Sequence, residues 1–371
     1  MSGKEKLRIS IVGACNRGRS FAPALHATGE AHIVAVCDIN EKGLEKARAD
    51  LGADEAYTDY EQMLRDADIN TVIVGTPMPL HVPQAVAALE LDYHVLSEVP
   101  AGVSIDECRD LVRAANAADA CYMMAENYTY IRQNMTVAEL VRRGLFGTTY
   151  YAEGEYLHDC RELYVLTPWR RRWGVGVNGI TYGTHSLGPV LKWMPGERVT
   201  EVCCAGAGRH RVDAEGKDYE QEDTCVMLGK TTNGGLVKIR MDILSDRPHA
   251  MANYVLQGTE GAYESARAQG EPDRIWLREV HGTPHKWHDL LDLPDEFTPQ
   301  AWVEHGERAR EAGHGGGDYL EVLDFVEACL GRKPPPIGIH ETMDMCLPGL
   351  VSQQSIEQGG AWLPVPDSRD W

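Results

Sequence analysis

The stretch Leu7–Gly18, LRISIVGACNRG, constrains the fold of this chain more than any other. Leu7, Ile9, Ile11 and Val12 form a short apolar run rich in β-branched residues, the pattern of a strand buried on both faces of a parallel sheet. Gly13, Cys15 and Gly18 then fall on the three glycine positions of a G-x-G-x-x-G turn, and Arg17 to Ala27 can continue as a helix. Such a turn offers backbone N–H groups and a helix N-terminus to a pyrophosphate. A second strand, His32–Cys37, ends at Asp38, twenty positions beyond Gly18, where an acid can hydrogen-bond a ribose 2′-hydroxyl.

Strand, turn, helix and spaced acid together predict a dinucleotide-binding Rossmann domain. Cys15 departs from the pattern at the middle glycine, where the backbone approaches the phosphates. Asp38 is followed by Ile39 and Asn40, with no adjacent arginine to receive a 2′-phosphate, so NAD is favoured over NADP.

The alternation continues downstream. Helices are expected over Glu41–Leu51, Asp59–Asp66 and Val82–Glu90, and from a Ser104 cap with Glu107 at the third helical position to about Ala118. Strands are expected at Thr71–Gly75, His94–Ser97 and Cys121–Ala125. The strand C-termini, at Gly13, Asp38, Thr76–His81, Glu98 and Asn127, make the ligand edge of such a sheet.

After Asn127 the character changes. A helix near Asn134–Arg143 leads into a strand over Thr148–His158, and another helix is expected over Ser186–Trp193. Strands follow at Val199–Cys204, Thr224–Lys230, Leu236–Ile243 and Asn253–Gln257, with Asn233-Gly234-Gly235 marking a hairpin. Helices close the chain at Asp318–Leu330 and Glu341–Gln358, and Pro348 is expected to kink or split the second. The fold class is therefore α/β. Residues 1–126 form an N-terminal Rossmann domain, and residues 127–371 form a C-terminal α+β substrate and oligomerisation domain with a mainly antiparallel open sheet.

At 371 residues the chain has length for two ordinary cores. A net charge of −20 without a long basic run argues against nucleic acid and anionic membranes as partners. The basic cluster Arg170-Arg171-Arg172, between Trp169 and Trp173, suits a local anion or sugar site instead. No apolar run approaches the ~20 residues of a membrane span, and MSGKEKLRIS lacks signal-peptide character. Ten cysteines without a C-x-x-C pair predict reduced thiols in a cytoplasmic protein, with no zinc or other metal site.

Polar and aromatic residues concentrate at Tyr156-Leu157-His158-Asp159, Trp169-Arg170 and Tyr182-Gly183-Thr184-His185. Tyr156 and His158 share one face of a strand, because side chains repeat every two residues. Histidine and tyrosine suit proton transfer on hydroxyl groups. Neither a G-x-S-x-G elbow nor an H-E-x-x-H pair is present, so serine hydrolase and zincin chemistry have no support.

On these residues the chain resembles the glucose–fructose oxidoreductase and inositol dehydrogenase family (Gfo/Idh/MocA), and within it the NAD-dependent branch of glycoside hydrolase family 109. The matching stretches run in order from GACNRG, CDIN, TPMPLH, SEVPA and AENY through GLFG, EGEYLHDCRE, PWRRR and NGITYGTHSLGPV to QGTEG and GHGGGDY. Most of the wider family carries Glu-Lys-Pro where this chain has Glu98-Val99-Pro100, and the glycosidase branch also has valine there. The resemblance implies an NAD site at Gly13, Cys15, Asn16, Arg17, Gly18, Asp38, Thr76, Met78, Pro79, Leu80, His81, Glu98, Val99, Asn127 and Arg170. It implies a sugar site at Tyr156, Arg170, Tyr182, Thr184, His185 and His249, where His249 replaces an expected tyrosine.

In the chemistry this branch implies, sugar C3 is oxidised, C2 is deprotonated, the C1 leaving group is eliminated, water adds and C3 is reduced again. His185 then takes the C3 hydroxyl proton in place of the usual lysine. Tyr156 is the C2 base, influenced by His158 on the same strand face. Free tyrosine titrates near ~10, so such a base needs a positive charge or hydrogen bond nearby, for which Arg170 is a candidate. Two other readings stay open: an NAD-dependent sugar or polyol dehydrogenase that releases NADH, and a non-catalytic NAD-binding regulator. Homo-oligomerisation is a further family expectation.

Overall fold

The alternating pattern of the first half builds a six-stranded parallel sheet from β1 (Leu7–Val12), β2 (Ala31–Cys37), β3 (Glu55–Tyr57), β4 (Thr71–Val74), β5 (His94–Ser97) and β6 (Tyr122–Met124). Its order is β3-β2-β1-β4-β5-β6, so the sequence order reverses between β1 and β4. Every residue of β4 is buried, as a strand covered on both faces requires. The computed structural model describes residues 6–167, 169–170, 178–244, 246–248 and 250–371.

Local chemistry sets the helix ends. The Ser104 hydroxyl accepts from the Glu107 N–H at 3.2 Å, while the Glu107 carboxylate accepts from the Val103 N–H at 3.0 Å. This reciprocal cap begins the helix Ile105–Ala117. The segment after the glycine turn differs from the expected single helix. It forms a 3₁₀ turn over Arg17–Phe21 before the α-helix Ala22–Thr28, which carries Pro23 in its first turn.

The two compact units do not follow one cut in the chain. The first joins the chain up to Tyr130 with His305–Met343 and Ser368–Trp371, and the second comprises Ile131–Glu304 with Asp344–Asp367. Helix Gly317–Cys329 therefore belongs with the parallel sheet.

The second unit holds a nine-stranded sheet of β7 (Thr149–Leu157), β8 (Val199–Gly206), β9 (Cys225–Thr231), β10 (Leu236–Asp242), β11 (Ala252–Gly258), β12 (Gly261–Glu264), β13 (Arg274–Leu277), β14 (His288–Asp289) and β15 (Leu363–Pro364). The order is β14-β13-β12-β11-β7-β10-β9-β8-β15. All neighbours are antiparallel except β7 and β10. The expected hairpin is present, with Gly234 at φ 89° and the Thr231 N–H donating to the Gly235 carbonyl.

Helix Thr184–Trp193 lies on β7 and β11 and buries Trp193 edge-on against Tyr254 and Tyr263. Ile339–Glu357 is one continuous helix through Pro348, so the proline does not split it. Met345, Cys346, Leu347, Leu350 and Val351 are buried on both sides of the proline, and that packing outweighs one lost backbone donor.

Candidate functional site

In the first unit the glycine turn is fixed by close backbone approaches. Gly13 has φ 77°, and a Cβ there would lie 2.4 Å from the Gly75 carbonyl oxygen. A Cβ on Gly75 would lie 2.5 Å from the Gly18 Cα, so neither residue tolerates a side chain. Cys15 fits because its backbone needs no left-handed φ and its side chain turns aside. The Sγ lies 3.8 Å from the Asn40 carbonyl oxygen and packs against Gly43. Burial and the adjacent Asp38 charge push this thiol up to about 11, so it stays protonated.

Asp38 accepts the Cys15 N–H at 2.8 Å on one oxygen and the Asn40 N–H at 2.9 Å on the other. A carboxylate offers about four acceptor sites, so capacity remains for a ribose hydroxyl. Turn, backbone cradle and spare acceptor fit a dinucleotide.

Along the same sheet edge, Thr76 donates its hydroxyl to Gln84 at 2.6 Å. His81 is buried, with its ring nitrogens 2.8 Å from the Thr76 carbonyl and 2.9 Å from the Pro100 carbonyl. A neutral imidazole can donate to only one of these. Met78 is buried and Leu80 exposed on the 3₁₀ turn Met78–Leu80, with Pro79 half-buried between them. Val99 is buried and its N–H donates to the Glu98 carboxylate at 3.2 Å.

Arg17, expected at the cofactor, is engaged by acids of its own unit. It pairs with Glu98 and, through both terminal nitrogens at 3.1 Å, with Asp318. Asn16 precedes it as the residue entering the 3₁₀ turn. Asn127 also donates to Asp318, at 2.8 Å, while its amide oxygen is buried without a hydrogen-bond partner among the described residues. Asp318 and its neighbour His314 were missed in the sequence. Their signal was GHGGGDY, a matching stretch that carried no assigned role.

In the second unit the period of β7 sorts its residues. Glu153 and Glu155 pair with Lys238 and Arg267 on one face. Gly154 and Tyr156 occupy the other, and a Cβ on Gly154 would lie 2.7 Å from Ser186 Cβ. This contact lays helix Thr184–Trp193 on the strand and brings His185 to Tyr156, with ring centroids 5.2 Å apart. Tyr182 completes the group, 5.7 Å from Tyr156 and edge-on to His185 at 5.2 Å. The His158 ring lies 5.8 Å from that of Tyr156. Tyr156 and His185 are buried, and the His185 carbonyl accepts the Tyr254 hydroxyl at 2.6 Å.

Around this cluster, the Cys160 Sγ lies 2.9 Å from His158 Nδ1. Burial pushes this thiol up to about 12, against the pull of Arg170. The Arg170 guanidinium stacks on Trp169 at 4.5 Å, and its buried Nε has no hydrogen-bond partner among the described residues. The Thr184 hydroxyl is likewise buried and unpartnered among them. The structure thus brings together Tyr156, His158, Tyr182 and His185, two tyrosines and two imidazoles able to exchange protons. His249, Arg171, Arg172 and Trp173 lie outside the described residues. Among the described residues no three histidine, cysteine or acidic side chains gather in a metal-binding group, and no helix is long and apolar enough to cross a membrane.

Comparison with known proteins finds a match for both halves of the chain. Residues 7–126 match the model of an oxidoreductase family with an NAD-binding Rossmann fold, and residues 130–370 match the C-terminal domain of glycosyl hydrolase 109. A glycosyl hydrolase family 109 protein of Saccharopolyspora erythraea is 31% identical over 98% of this chain and 83% of its own length. An alpha-N-acetylgalactosaminidase of Tannerella forsythia is 28% identical over 97% and 86%. Among solved structures, levoglucosan dehydrogenase with NADH and L-sorbose shares the fold at a TM-score of 0.83 and 17% identity, covering 98% of this chain and all of that one. The valine at position 99, the glycine-cradled turn and the Tyr156–His185 cluster thus belong to a carbohydrate-acting enzyme whose cofactor is NAD, and the chain is a member of glycosyl hydrolase family 109 within the Gfo/Idh/MocA oxidoreductases.

Proposed function

We propose that the protein cleaves a glycoside without net oxidation, by transient oxidation at sugar C3, proton removal from C2 and elimination of the C1 substituent. The observation that carries this reading is the Tyr156 ring set between two imidazoles, with centroids 5.8 Å from His158 and 5.2 Å from His185. NAD, when bound, supplies the hydride acceptor at C3 and returns the hydride at the end.

His185 takes the proton of the C3 hydroxyl, a task to which the buried Val99 brings no polar group. Ketone formation at C3 acidifies the C2 proton, and Tyr156 removes it. His158 acts on Tyr156 by donating to or accepting from its hydroxyl. Arg170 and Tyr182 hold the sugar, and Gly13, Gly18, Asp38, Glu98 and Asn127 hold the dinucleotide. Water then adds across the enone.

The test is to incubate the purified protein with a panel of nitrophenyl glycosides, α-N-acetylgalactosaminide included, with and without added NAD⁺. Aglycone release without net formation of NADH, read by its fluorescence, supports the reading. NADH that accumulates in proportion to substrate, without aglycone release, replaces it with a dehydrogenase.

A further inference from the structure

The GHGGGDY stretch is built around one carboxylate. A Cβ on Gly313 would lie 2.4 Å from an Asp318 carboxylate oxygen, and a Cβ on Gly317 would lie 2.1 Å from the Asn127 carbonyl oxygen. Between them His314, Gly315 and Gly316 all have positive φ, at 50°, 62° and 95°. A histidine in that region carries backbone strain that its surroundings must hold. The result is that Asp318, 3% exposed, faces Arg17, Asn127 and His314 together.

The proton count follows from the donors. Arg17 gives two hydrogen bonds, Asn127 gives one from Nδ2, and His314 Nδ1 lies 3.0 and 3.1 Å from the two oxygens. An ionised carboxylate only accepts, so His314 carries its proton on Nδ1. Burial alone would raise the Asp318 carboxyl, but His314 and Arg17 hold it below the usual carboxylate range. The carboxyl groups of Glu321 and Glu98 also face this group. All four acceptor positions of Asp318 are taken, so it acts only through its neighbours.

We propose that Asp318 is a positioning residue that sets the flip of the Asn127 amide. With Nδ2 committed to Asp318, Asn127 presents its buried, unpartnered oxygen as a hydrogen-bond acceptor. Asn127 follows β6, on the half of the sheet that serves the nicotinamide mononucleotide, whereas Asp38 serves the adenosine ribose. The group it accepts is a carboxamide N–H or a ribose hydroxyl of that half. This inference rests on Asn127 facing the cofactor, and not on the bond-breaking chemistry.

The test measures binding of NADH and of ADP to cofactor-stripped protein, by fluorescence and calorimetry. In Asp318→Asn the new amide oxygen is captured by the charged Arg17, its NH₂ faces Asn127, and the Asn127 amide reverses. NADH then binds at least tenfold more weakly while ADP binds within twofold of wild type. Asn127→Ala has the same effect, and the double variant is no weaker than the worse single variant by more than twofold. His314→Asn, a residue that tolerates left-handed backbone, gives at least a twofold loss for NADH alone and serves should Asp318→Asn not fold. Equal losses for NADH and ADP, multiplying losses in the double variant, or unchanged NADH binding overturn the proposal. Wild-type protein that binds ADP and NADH equally overturns the placement of Asn127 itself, and leaves the glycoside assay to judge the chemistry.

Discussion

Gly154 of β7 packs directly on Ser186 of the helix above it, with no room for a side chain between them: an added Cβ would lie 2.7 Å from Ser186 Cβ and 2.9 Å from its carbonyl oxygen. Because Gly154 and Tyr156 share a strand face and His185 precedes Ser186, this contact sets the spacing of the two proposed proton carriers. Gly154→Ala pushes the helix off the strand. It is expected to destabilise the protein by about 1–3 kcal/mol and to lower turnover more than cofactor binding, as read by denaturant unfolding and NADH titration.

Tyr156→Phe keeps the ring and its packing while removing the hydroxyl. Exchange of solvent deuterium into sugar C2 and aglycone release should both fall by about a hundredfold or more, while substrate-dependent reduction of NAD⁺ remains measurable in single turnover. Undiminished deuterium exchange in this variant removes Tyr156 from the role of base.

Asp38→Ala leaves the Cys15 and Asn40 N–H groups without their acceptor and removes the acceptor proposed for the ribose. Charge-assisted bonds of this kind predict NADH binding weaker on the order of 10- to 100-fold, with the unfolding midpoint of the cofactor-free protein shifted far less. Calorimetric titration measures the first and a thermal scan the second.

Glu321 is fully buried, and neither of its oxygens has a hydrogen-bond partner among the described residues. Burial first, and the Asp318 charge second, raise its carboxyl well above the usual range, against the pull of Arg17. The folded protein thus holds a proton that the unfolded chain releases above about pH 4.3. The group favours folding fully below that pH and progressively less as pH rises, by up to ~1.4 kcal/mol per unit. Glu321→Gln removes this slope, so its unfolding midpoint should exceed that of wild type at pH 7–8 and approach it near pH 4.

Strand periodicity, caps and turn glycines made the parallel sheet legible from sequence, since each acts within a few residues. Ser104 with Glu107 and Asn233-Gly234 are local signals, and both appear where expected. The short strands β12 to β15 went unseen because two to four residues are too few to display a period. The parallel pairing of β7 with β10 depends on a long crossover that no local pattern records. Tyr156, His158 and His185 were readable as a strand face and a glycine-framed histidine. Asp318 was not, because its meaning lies in Arg17 and Asn127, remote in the chain.

Arg17 and Asp318 are separated by 301 positions. At a ribosomal rate of about 5–20 residues per second, the guanidinium emerges roughly 15–60 s before the carboxylate it will meet. Through that interval Arg17 has Glu98 alone as its acid, and Asn127, once made, lacks the acceptor for its amide. The unit that carries the glycine turn is therefore completed only after most of the other unit has been made.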